Sequence, residues 1–183
     1  LLALLRAEGA LTPAERVAAR AEIARGLAVL VGRQRADGGI GYWGAGDWTT
    51  PWLTAHAAEV MAEAKELGIA IDSLPLARLT EYLRMALREA PAEKGPLSYW
   101  YDRRATRLAD QVAAVDVLSR LGAPDRPAEN ELLRNAPQMV REDRIRLAEL
   151  LARRGATDDA RRLLAPVWAQ VRMDGRTAAL PAD

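Results

Sequence analysis

Few residues in this sequence have the type and spacing for chemistry. There is one histidine, His56, and no cysteine. A multi-histidine metal centre, a Cys-ligated zinc, a disulfide and a Cys nucleophile are therefore excluded within these residues. A lone histidine on the apolar face of a helix reads as a hydrogen-bonded core residue rather than a catalyst. Two carboxylate pairs, Glu142-Asp143 and Asp158-Asp159, stand at or near helix starts. Negative charge is favoured there by the exposed backbone N–H groups, so both pairs read as capping residues. The stretch Asp37 to Asp47 holds five glycines between Gly38 and Gly46. Its backbone N–H groups have the makings of an anion nest. It matches neither the dinucleotide nor the P-loop template, and no Gly-Lys-Ser/Thr follows, so it reads as a structural loop. The aromatic groups Tyr42-Trp43, Trp48, Trp52 and Tyr99-Trp100-Tyr101 lie near loops. They would close one end of a helical core or face a partner. No catalytic, cofactor-binding or metal residue is predicted.

The elements that must position these groups are helices. The 183 residues suit about one domain. Half are apolar and 28% are charged, a globular composition that excludes disorder for most of the chain. The net charge of +1 gives no argument for nucleic acid, and Arg103-Arg104, Arg153-Arg154 and Arg161-Arg162 read as solvated helix faces. No run approaches the roughly 20 apolar residues that span a bilayer. Thr12-Pro13-Ala14-Glu15 predicts a capped helix start, and Val17, Ala21, Ala24, Ala28 and Val31 follow at helical spacing. Thr50-Pro51 opens a second helix that ends at Gly68, with Leu53, His56, Val60 and Leu67 on one face. Leu76, Leu79, Leu83 and Leu87 mark a third, ended by Pro91 after a start at Ser73. Leu108, Val112, Val115 and Leu118 mark a fourth, from about Arg103 to Leu121. Shorter helices are predicted near 128–135, 138–153 and 158–170, the last disturbed by Pro166. Residues 171–183 read as a loop or extended tail. Helices alternating with short turns predict antiparallel neighbours and an all-α chain of hairpins. An echo between Gln34-Arg35-Ala36-Asp37-Gly38 and Gln170-Val171-Arg172-Met173-Asp174-Gly175 fits repeated hairpins. The sequence does not begin with Met, which predicts a piece of a longer protein.

The span Ile23 to Gly68 carries a recognisable pattern. Arg25 to Leu30 followed by Gln34-Arg35-Ala36-Asp37-Gly38-Gly39-Ile40-Gly41-Tyr42-Trp43 resembles the Gln-to-Trp repeat of the α/α-toroid superfamily. Terpenoid cyclases, prenyltransferase β subunits and the thioester domains of α2-macroglobulin and complement share that fold. Trp52-Leu53-Thr54-Ala55 with Glu63-Ala64-Lys65 is most similar to the bacterial α2-macroglobulin thioester domain. The resemblance implies an α/α toroid, here an incomplete ring spanning 1–183, and a protease trap rather than an enzyme. In that family proteases cut a bait region, and a Cys–Gln thioester acylates the attacker. The Cys-x-Glu-Gln motif is absent from this chain. By resemblance, Tyr42, Trp43, Asp47, Trp48 and Trp52 would sit near the rim that shelters or replaces the thioester. Implied partners are target proteases and other domains of a parent chain, without nucleic acid or membrane insertion. The implied location is the periplasm or cell envelope.

Two other readings use the same helical pattern. A terpenoid-cyclase-like enzyme would need an acid deep in an aromatic cavity, and the sequence has no Asp-rich motif to supply it. A helical-repeat interaction module would instead line its helices up as an open solenoid.

Overall fold

The computed structural model describes residues 2–7, 9–88, 103–174 and 177–180. The cluster Tyr99-Trp100-Tyr101 and the helix end expected at Pro91 lie outside the described residues. The described residues form α1 (Leu2–Arg6), α2 (Pro13–Gly32), α3 (Pro51–Glu66), α4 (Ser73–Arg88), α5 (Arg103–Arg120), α6 (Arg126–Asn135), α7 (Arg141–Arg153) and α8 (Thr157–Trp168). A single 3-10 turn, Ala136–Gln138, joins α6 to α7. The chain is all-α in architecture, built of helical hairpins.

Local sequence sets the starts. The Thr12 hydroxyl accepts from Glu15 N–H, and the Glu15 carboxylate accepts from Thr12 N–H at 2.7 Å, closing a capping box with Pro13 at the first helical position. The Thr12 hydroxyl, which also donates to the exposed Glu15 carboxylate at 2.7 Å, and then the Thr12 N–H hold that carboxyl below its usual range. Thr50 caps α3 through Leu53 N–H, and Asp125 caps α6 through Ala128 N–H. The ends of α3, α5 and α7 share one device. Gly68, Gly122 and Gly155 each take a positive φ, and the next residue's N–H reaches back to the carbonyl five positions earlier. This recurrence at every second helix is an internal repeat that the Gln-Asp-Gly echo did not reveal.

The helices form two rows. α3, α5 and α7 lie side by side, α5 packing on both others, while α2, α4, α6 and α8 flank them. Partner residues advance together along the first row. Trp52 meets Asp110 and Glu59 meets Arg120; Asp116 in turn meets Arg146 and Arg153. α3 and α5 therefore run in the same direction, with the start of α3 beside Asp110 in the interior of α5. A helix enclosed on several sides must let its neighbours approach closely. α3 does this with small residues: Ala55, Ala57, Ala58, Ala62 and Ala64 are buried around Met61.

That arrangement corrects two expected faces. In α3, Leu53, His56 and Val60 are not the core stripe; they are partly or largely exposed, and the alanines are buried instead. In α2 the buried residues are Ala19, Ile23 and Leu27, whereas Val17 and Val31 are exposed. In both helices apolar residues lie on more than one side, so periodicity alone does not choose the core face. In α4 and α5 the expected Leu79, Leu83, Leu87, Leu108, Val112, Val115 and Leu118 are all buried. At the other end, where a loop or extended tail was expected, β1 (Arg172–Asp174) pairs antiparallel with β2 (Thr177–Ala179).

Candidate functional site

The loop between α2 and α3 is locked from three sides. The Gln34 side-chain amide donates to the carbonyls of Gly38 at 3.1 Å and Pro75 at 2.8 Å. The Arg78 guanidinium of α4 donates to the carbonyls of Arg35 and Ala36, both at 3.0 Å. From α3, the buried Thr54 hydroxyl accepts from Ile40 N–H at 3.0 Å and lies 3.1 Å from the Thr49 hydroxyl. Glycine is required where these surfaces meet. A Cβ on Gly38, which has φ +95°, would overlap the Arg78 carbonyl, and one on Gly41 would overlap the Gly44 carbonyl.

The lock presents aromatic rings. Both Asp47 oxygens are engaged, one accepting from Trp43 N–H at 3.1 Å and the other from Trp48 N–H at 2.8 Å. Tyr42 N–H donates to the Trp48 carbonyl at 3.0 Å. Tyr42 consequently stacks on Trp48, with centroids 4.7 Å apart and planes 14° apart, and meets Trp43 edge-on at 4.8 Å. Trp43 is 75% exposed. The structure thus brings together Tyr42, Trp43, Asp47 and Trp48. Trp52 belongs to a second group, since its ring lies 4.0 Å from that of His56, whose Nδ1 is 2.9 Å from the Trp52 carbonyl. His56 is half-buried beside a tryptophan rather than inside the core.

Replacing Asp47 by alanine removes the acceptor of two loop amides. The variant is expected to lose about 1–2 kcal/mol of stability. It should also lose near-ultraviolet dichroism from the Tyr42–Trp48 stack. An unchanged spectrum would show that the rings are held without Asp47.

Two aspartates, Asp110 and Asp116, were not singled out by sequence, and a third, Asp143, was read only as a capping residue near a helix start. Asp110 of α5 accepts from Trp52 N–H at 2.9 Å, supplying a cap to α3 from the neighbouring helix. Burial pushes its carboxyl up to about 6; the Trp52 N–H opposes this and the charge of Asp143 adds to it. Burial, then Glu142, push Asp143 to about 6 as well, opposed by Arg146. Asp116 is 1% exposed and gathers Arg146 at 3.1 Å, Arg120 at 3.5 Å and Arg153. Glu59 of α3 joins through Arg146 at 3.0 Å and Arg120 at 3.4 Å. This network lines an open cleft of about 320 Å³ with Glu142, Ile145 and Glu149. A lone acid inside an apolar stripe, Val115-Asp116-Val117 with Arg120 four residues on, was the available signal. The carboxylate pairs act as expected near helix starts. Glu142 and Asp143 lie in the first turn of α7, and Asp158 and Asp159 in that of α8, the latter two paired with Arg161 and Arg162. Among the described residues no group of three or more His, Asp or Glu is placed to hold a metal ion, and no helix is long and apolar enough to cross a membrane.

No protein-family model matches the chain, and no curated protein sequence matches it. Solved structures do. Salmonella α2-macroglobulin reacted with methylamine aligns with 96% of this chain at a TM-score of 0.77 and 23% identity, using 11% of its own length. The chain has a fold found in bacterial α2-macroglobulins. Native E. coli α2-macroglobulin, from domain MG7 to its C-terminus, aligns with 88% of the chain at a TM-score of 0.75 and 22% identity, over 25% of its length. The trypsin-activated E. coli α2-macroglobulin aligns with 92% at 0.77 and 22%, over 12% of its length. The chain therefore corresponds to a small part of each α2-macroglobulin it matches.

Proposed function

We propose that this chain is the thioester-domain-like helical ring, in part, of a bacterial α2-macroglobulin-type protease trap, with a scaffolding rather than a catalytic role. The observation that carries the reading is the alignment of nearly the whole chain with α2-macroglobulin structures at TM-scores of 0.72–0.80. The Gln34-to-Trp43 and Trp52-to-Ala55 motifs support it independently, because the same residues build the locked loop and begin α3. In this reading Tyr42, Trp43, Asp47, Trp48 and Trp52 form the rim beside a reactive acyl group carried elsewhere in the parent. Apolar rings are suited to that task because they keep water from a strained electrophile. The partners are attacking proteases and the parent's other domains, and the setting is the periplasm or cell envelope, in defence.

The test uses the full natural protein that contains this segment. Incubated with trypsin, it should protect a large protein substrate while leaving a small chromogenic peptide open to cleavage. Equal cleavage of both with and without the protein would reject the trap. Methylamine incorporation into the same protein separates a thioester-bearing parent from one that lacks the bond.

A further inference from the structure

We draw no further inference here: the strongest candidate, the outward face of α2, where Val17, Ala21, Ala24, Ala28 and Val31 recur at helical spacing and stand exposed, is an unpartnered apolar helix face, and nothing in the structure shows what covers it.

Discussion

Replacing Asp116 by alanine is expected to lower the unfolding free energy by about 2–4 kcal/mol and the Tm by about 5–15 °C. The carboxylate is 1% exposed and is approached by Arg120, Arg146 and Arg153 from two helices. Removing it leaves three guanidiniums around an empty space between α5 and α7, with Glu59 balancing Arg120 and Arg146 but not Arg153. The arginines are 22–40% exposed, so they relieve part of that cost by turning to water, which places the estimate below that for a fully enclosed pair. Asp116→Asn keeps the shape and one acceptor and should fall about midway. Arg153→Gln, at the most exposed position of the three, should cost under about 1 kcal/mol. Chemical denaturation of the three variants checks the order. A loss below about 1 kcal/mol for Asp116→Ala would mean that the network does not hold α5 and α7 together.

A comparable effect is expected at the loop. Gly41→Ala should cost about 2–4 kcal/mol, because the new methyl would occupy the space of the Gly44 carbonyl and the backbone would have to open. The Tyr42–Trp48 stack depends on the pairing of Tyr42 N–H with the Trp48 carbonyl, so its dichroic signal should vanish with the stability. Gly38→Ala adds a positive φ to the overlap and should be at least as severe. Gly44→Ala and Gly46→Ala are the internal controls. A Cβ at either meets nothing within 4 Å, so each should change stability by under about 0.5 kcal/mol. Equal losses at all four positions would show that chain flexibility, not close approach, governs the loop.

These residues also mark what the sequence made legible. The caps at Thr12, Thr50 and Asp125 act on near neighbours, and the first two were visible in the order of residues alone. The Leu stripe of α4 and the Leu/Val stripe of α5 were readable because each helix concentrates its large apolar residues on one face. α2 and α3 were not, since alanine marks no face by periodicity and close approach of neighbouring helices decides its burial. The aromatic loop was found as a candidate because its glycines and rings are consecutive. Asp110 and Asp116 were missed because the partners that give them their roles lie 30 to 58 residues away, as with Trp52 and Asp110. The grouping of Trp52 with His56 rather than with Tyr42 and Trp48 depends on which side of α3 each ring leaves, a tertiary fact.

The two-row packing bears on how the chain reaches its native state. Each helix packs chiefly on elements one or two places away in the chain. Such local wiring means low contact order, so little loop entropy is lost before contacts form, and folding is fast for the size. Successive hairpins can consolidate as they are synthesised, each new one adding to a face already built, without waiting for distant strands to find their register.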